Sequence, residues 1–386
     1  MNYLFSRRAI IIITILTSIL TIKSIGQDSS IHYSKNNIKE KSKLHPTILP
    51  SAGYSMHTNW AAAVNFSLGL YASKKADTTD KISVLSSSIT YTLNKQLLFP
   101  IQANIWSHGN KFNYNTDIRY LYYPSQNFDL GMSSKPASRY TLIYHYFKFH
   151  QTVSKKIDTY LYGGLGLYYD NYWKVNIKNS PTTGITSIEK YGFSDHEKAV
   201  GVVAKLMYDS RLNQLNPKNG AFINVVYRPN FTFLGSDNNW QSIMIDARKY
   251  LPLPKNSKNT IAFWNYNTFT IAGKPPFLFL PSTGWDDYYN VGRGYIQGRF
   301  RGRNLMYFET EYRFNITKNK FIGGVVFANV HSISDAIKLP FYALAPGYGT
   351  GIRIRVNKHN DTNICIDYGF GNNGSKGVIV NLGEVF

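Results

Sequence analysis

From residue 47 onward, apolar and polar positions alternate with a period of two in short runs broken by turn residues, the pattern of strands with one face in an apolar medium. Over residues 60–72, Trp60, Ala62, Val64, Phe66, Leu68 and Leu70 share one face, against Ala61, Ala63, Asn65, Ser67 and Gly69 on the other. Residues 111–123 repeat this, with Phe112, Tyr114, Ile118, Tyr120 and Tyr122 opposite Lys111, Asn113, Asn115, Asp117 and Arg119. The run 305–316 is sharper: Met306, Phe308, Tyr312, Phe314 and Ile316 face one way, Glu309, Glu311, Arg313 and Asn315 the other. Segments bounded by turns predict sixteen strands, near 47–57, 60–72, 81–93, 95–107, 111–123, 138–153, 157–173, 196–209, 219–233, 239–251, 258–271, 303–316, 320–333, 344–356, 362–371 and 376–386. An even number returns the chain to the side it entered from, as closure of an antiparallel barrel requires. The longer connections, 124–137, 174–195, 272–302 and 334–343, then all fall on one side, the extracellular one for an outer-membrane barrel.

A soluble sandwich would alternate in the same way, with its charged face in water. Three features favour an all-β transmembrane antiparallel β-barrel closed between its first and last strands: tyrosines near strand ends, the aromatic Phe386 ending an alternating run, and an export signal. Arg7 and Arg8 form a basic n-region, Ala9 to Ile22 an apolar stretch and Ser24-Ile25-Gly26 a small-residue cleavage site, so residues 1–26 read as a signal peptide. Residues 27–46 are polar, charged and without periodicity, a short flexible periplasmic lead, and 47–386 form the barrel. A helical membrane protein is excluded because Pro46, Pro50, Gly53, His57, Asn59 and Asn65 interrupt the uncharged stretch between Lys43 and Lys74.

Composition changes the picture in two places. The chain has 386 residues and one cysteine, Cys365, so a disulfide scaffold is ruled out even in an oxidising compartment. Without residues 1–26 it carries 40 basic and 22 acidic residues, a net +18. Such a balance can mark a nucleic-acid partner, and Arg293-Gly294-Tyr295 followed by Arg299-Phe300-Arg301-Gly302-Arg303 looks like an arginine-glycine RNA-binding box. Export argues against that, and no nucleic acid is expected. Basic residues in a lumen and in loops near anionic outer-membrane lipid and lipopolysaccharide account for the same charge.

Two motifs exceed barrel grammar. One is Asp209-Ser210-Arg211 followed by Pro217-Lys218-Asn219-Gly220, a tight turn whose Asp and Arg can pair at a strand end. The other is Gly292-Arg293-Gly294-Tyr295 in the long loop before the acidic strand bearing Glu309 and Glu311. Here the sequence resembles the BamA/TamA family of outer-membrane assembly proteins, the bacterial surface antigen family, over essentially the whole exported chain. The resemblance implies sixteen strands and a sixth extracellular loop folded into the lumen behind a Val-Arg-Gly-Phe/Tyr motif, matched by Arg293, Gly294 and Tyr295 with Gly292 in place of Val. It also covers the turn residues Asp209, Arg211, Pro217 and Gly220, and the ending Asn381 to Phe386, with Leu382 and Phe386 as its barrel signal. Two departures stand out. Residues 27–46 cannot form the periplasmic POTRA domains usual in the family, and the Phe-x-Asp-x-Gly of strand thirteen is here Phe327-Ala328-Asn329-Val330-His331.

An arginine inside a barrel needs a partner, and a planar guanidinium is best met by a bidentate carboxylate. Glu309 and Glu311 are the expected partners, with Asn329 as a neutral substitute for the missing aspartate; the bland alternative is an Arg293 solvated in a surface loop. Histidines such as His145 and His150 show no metal-ligand spacing and no nucleophile motif occurs, so neither enzyme activity, metal nor cofactor is expected. The resemblance implies a role in insertion of outer-membrane proteins or in translocation, with unfolded clients or envelope lipoproteins as partners. A passive or anion-biased pore and a structural subunit of an envelope complex are the alternatives. Finally, Pro46, Pro50 and Gly53 in the first strand, and Gly377 and Gly383 in the last, predict a closure poor in hydrogen bonds.

Overall fold

A computed structural model describes residues 45–70, 81, 83–180, 186–211, 213–214, 216–255, 257, 259–334, 343–357 and 361–386. The expected signal peptide and nearly all of the lead lie outside these residues, as does most of the 334–343 connection. The strands are β1 (His45–Ser55), β2 (Asn59–Leu70), β3 (Ser83–Thr92), β4 (Leu97–Trp106), β5 (Phe112–Asn127), β6 (Tyr140–Lys156), β7 (Leu161–Lys178) and β8 (His196–Asp209), then β9 (Gly220–Asn230), β10 (Trp240–Pro252), β11 (Thr260–Gly273), β12 (Asn304–Asn315), β13 (Ile322–Ser334), β14 (Ala345–Asn357), β15 (Thr362–Gly371) and β16 (Lys376–Leu382). Each pairs antiparallel with its sequence neighbours, and β16 returns to β1 to close the sixteen-stranded barrel.

Period-two alternation sorts the side chains between the two faces of this wall. Outside lie Val64, Ile89, Leu165, Val202, Leu206, Val326 and Ile352, all well exposed. Inside lie Arg119, Lys148, Asp170, Arg248, Glu309, Glu311, Arg313, Arg353 and Asp367, all buried. A water-soluble sandwich would have the opposite polarity. An apolar exterior around a charged interior suits a lipid-facing wall, where strands survive only if every backbone group is paired around a closed ring.

Closure is uneven. Every other neighbouring pair of strands shares at least six residue pairs, the fewest being between β3 and β4, whereas β1 meets β16 only at Ser55↔Ile379. All eleven residues of β1 pair with β2, so the weakness belongs to the seam and not to β1 itself. Here Met56 fills the place a side chain would need at Gly377: a Cβ built there would lie 2.1 Å from its Cγ.

The expectation that the last strand runs to Phe386 is corrected. β16 stops at Leu382; Gly383 donates its N–H to the Asn363 carbonyl, and the chain turns into the lumen. Phe386 is buried there against Trp264, with ring centres 5.2 Å apart, and Arg313 donates to its carbonyl. Burial of the ring and satisfaction of the carbonyl outweigh extending the ladder by four residues. Leu382 remains outside, 68% exposed.

The β11–β12 connection, 274–303, folds into the barrel. Its first part sets Phe277, Leu278 and Leu280 among Leu121, Tyr144 and Tyr172 of the β5–β7 wall. Its second part sets Val291, Tyr295 and Phe300 against Trp264, Tyr307 and Ile333, together with Val385 and Phe386. A bridge between Ser282 and Arg301 and paired backbone bonds, Thr283 N–H to Phe300 and Gly302 N–H to Pro281, tie its two limbs together. The loop therefore spans the lumen as a structured plug.

Candidate functional site

The polar centre of this plug is Arg293, 1% exposed. Alternation on β12 points Glu309 and Glu311 inward two residues apart, and the Arg293 guanidinium reaches both carboxylates through Nη2. Its Nε donates to Glu309 Oε2 at 3.2 Å, and its Nη1 to Asp367 of β15 at 2.8 Å. The Phe327 ring lies 3.7 Å from the guanidinium carbon and covers one face of the group. All five donors of an arginine lie in one plane, so a fork set among three carboxylates and roofed by an aromatic ring uses both its geometry and its weak hydration. Arg293 is thus an interior ion-pair centre and not a solvated surface residue.

Asn329 does not act as a neutral stand-in for a carboxylate on the guanidinium. Its side-chain NH2 donates to the backbone carbonyl of Arg293 at 3.0 Å, so it holds the main chain of the motif. The third carboxylate comes instead from Asp367 of β15, which the sequence alone did not single out. Arg313 and Arg353 extend the cluster. Arg313 Nε donates to Glu311 at 2.6 Å, and Arg353 joins Asp367 at 2.5 Å to Glu384 at 2.8 Å. Burial pushes the Glu384 carboxyl upward, and the Arg353 and Arg313 guanidiniums more than reverse this, holding it at about 2. Three arginines thus face four carboxylates, and the cluster joins the loop, β12, β14, β15 and the segment after β16.

The neighbours of Arg293 fit it to this place. Gly294 has φ +100°, and a Cβ there would sit 2.5 Å from the Phe370 carbonyl oxygen, so only glycine allows the loop to lie this close to β15. Gly292, where the resemblance leads one to expect valine, also has a positive φ, and a Cβ would come within 2.6 Å of the Thr283 methyl. Tyr295 donates to the Pro346 carbonyl at 2.6 Å, accepts from the Asn372 N–H at 2.8 Å, and meets the His331 ring edge-on. Two of the arginines further along the stretch, Arg299 and Arg301, are also committed inside the barrel. Arg299 donates to Ser134, and Arg301 donates to the Leu280 carbonyl and to Asn127.

The second motif lies at the opposite rim, in the β8–β9 connection. Asp209 accepts from Arg211 Nε at 2.9 Å, from the Arg211 backbone N–H at 3.1 Å and from Gln214 at 3.1 Å, and the Arg211 guanidinium rests 4.2 Å from the Phe222 ring centre. The pair is buried, not a surface ion pair. Pro217 is buried, and Gly220 turns into β9 with φ +99° where a Cβ would meet the Ser210 carbonyl. The two motifs are not in contact. Beside the plug, a lumen cavity of about 210 Å³ is lined by Asp117, Lys148, His150, Tyr168, Arg228 and Trp240 among others. Its cations are already paired, Lys148 with Asp117 and Asp287, and Arg228 with Asp170.

No protein-family model and no curated protein sequence matches this chain. Among solved structures the barrel is similar to BamA from Haemophilus ducreyi lacking POTRA domains 1–3, at 15% identity and a TM-score of 0.56 over 87% of this chain and 68% of that one. It is also similar to CdiB from Acinetobacter baumannii, at 12% identity and TM-score 0.55 over 88% of this chain, and to CdiB from Escherichia coli, at 10% identity and TM-score 0.56 over 88%. The match spans 60% and 62% of the two CdiB chains. At these identities the likeness is one of fold.

Proposed function

We propose that this chain is an outer-membrane barrel of the BamA/TamA assembly and translocation kind, working without catalysis in a Gram-negative envelope. In this reading it helps polypeptides into or across the membrane by parting at the β1–β16 seam. The observation that carries the proposal is the single residue pair at that seam in an otherwise well-paired wall. A pore gains nothing from a weak closure, whereas a barrel that must present a free strand edge to lipid or to a client strand needs one. The arginine-centred plug supports the same reading, because it keeps the lumen filled while the seam moves. Outer-membrane lipid and lipopolysaccharide would surround it, and unfolded outer-membrane proteins or envelope lipoproteins would be its partners.

The test is a disulfide across the seam, Ser55→Cys with Ile379→Cys, the residues that already face each other. The locked barrel should lose its ability to promote insertion or translocation, and reduction should restore it. Full activity in the oxidised state would remove the seam from the mechanism.

A further inference from the structure

At the rim of the short turns, opposite the long loops, five cationic side chains converge on one small pocket. Lys218 comes from the β8–β9 turn, Lys320 from the β12–β13 turn, Arg313 from β12, and Arg353 and Arg355 from β14. Glu384 is the one carboxylate lining it, and it is already taken by Arg353 at 2.8 Å and Arg313 at 3.7 Å. Arg355 is paired with Asp361 at 3.3 Å. Arg313 and Arg353 are held further by Glu311 and Asp367, so the cations here without an ion pair are the two lysines. Arg313 is 3% exposed, yet its Nη1 has no hydrogen-bond partner. Among the described residues neither Lys218 nor Lys320 enters an ion pair, and burial lowers the Lys218 ammonium from its ordinary value. A desolvated ammonium and an unmet guanidinium N–H side by side are costly unless an anion completes them.

We propose that this pocket captures one carboxylate of a polypeptide segment arriving at the short-turn rim. The pocket is a small recess open to solvent, with a volume of about 20 Å³. A carboxylate would present its two oxygens to Arg313 Nη1 and the two lysines as donors. Charge-assisted bonds to an ionised acceptor are the strong ones, so a single acidic side chain can be held here without a wide interface. The choice of a polypeptide carboxylate rests on the proposed function; the demand for an anion rests on the pocket alone.

The experiment uses the full chain in detergent micelles at low ionic strength and a fluorescent pentapeptide, acetylated and amidated, with glutamate between pairs of glycines. The glutamate peptide should bind at least roughly tenfold tighter than its glutamine counterpart. Lys218→Ala with Lys320→Ala should abolish that difference while leaving the unfolding temperature unchanged, and replacement of both lysines by arginine should retain it. Inorganic phosphate should compete less well than acetate. Equal binding of the two peptides, or wild-type discrimination by the double alanine variant, would overturn the proposal. Phosphate competing better than acetate would also overturn it and assign the pocket to phosphate-bearing headgroups. Equilibrium binding needs no seam movement, so it succeeds or fails independently of the disulfide test.

Discussion

Arg293 carries a heavy electrostatic load, because Glu309, Glu311 and Asp367 converge on it with almost no access to water. Arg293→Ala removes the common counter-ion and leaves like charges facing one another. Breaking a buried pair in this way costs about 3–5 kcal/mol. The variant should unfold at lower urea, and protease should cut its 274–303 loop readily; unchanged values in both assays would show that the cluster is not holding the loop. Gly294→Ala tests the backbone apart from the charge. It keeps the arginine but sets a methyl against the Phe370 carbonyl, so the loop should lift from β15 and become protease-sensitive with Glu309 and Glu311 intact. A fully protected loop in that variant would mean that the close approach to β15 is dispensable. The inward direction of Glu309 and Glu311 was legible from alternation on one strand. Asp367 was not legible as a partner, because it lies 74 residues from Arg293 and meets it only once the barrel has curved round. Asn329 does partner the loop, but through the main chain of Arg293 and not its guanidinium, because whether its amide meets a side chain or the main chain depends on how deeply the loop enters.

At the scale of elements, sixteen alternating runs became sixteen strands, with differences mainly at the ends. β5 and β7 run further than expected, to Asn127 and Lys178, because their outer ends meet the plug: Asn127 accepts from Arg301, and Val175 packs in the cluster of Phe277, Leu278 and Leu280. Once the barrel closes, period two has no competing interpretation, so its legibility is unsurprising. Strand ends are set instead by tertiary contacts that alternation does not encode, and the inward turn after Leu382 is the clearest case. Weakness at the closure was readable from Pro46, Pro50 and Gly377, but not its extent. Hydrogen exchange should reveal it directly. Backbone amides of β16 that point toward β1 should exchange far faster than those of β12 and β13, whose ladder runs over twelve residue pairs. Equal protection at the two places would argue for a firmly closed barrel and against seam opening.

For the whole molecule, the apolar exterior and charged interior suit a wall set in lipid, and the plug fills the lumen that the wall encloses. Among the described residues, loop 274–303 packs on both the β5–β7 wall and the β12–β15 wall, and a cavity of about 210 Å³ lies beside it, lined by charges that are already paired. A net +18 would favour anions in an open channel, but paired charges offer little selectivity. In planar bilayers the purified chain should therefore show low, flickering conductance with weak ion preference. Arg293→Ala, by freeing the plug, should raise both conductance and open time several-fold, and the disulfide Ser55→Cys/Ile379→Cys should change neither, because the seam is not the ion path. The combination separates two functions that one measurement would confuse. A large and steady wild-type current, insensitive to Arg293, would make the chain a pore whose loop merely lines the channel. Low current that rises on loss of Arg293, together with assembly activity that vanishes when the seam is locked, would leave the plug to guard the lumen and the seam to handle the client.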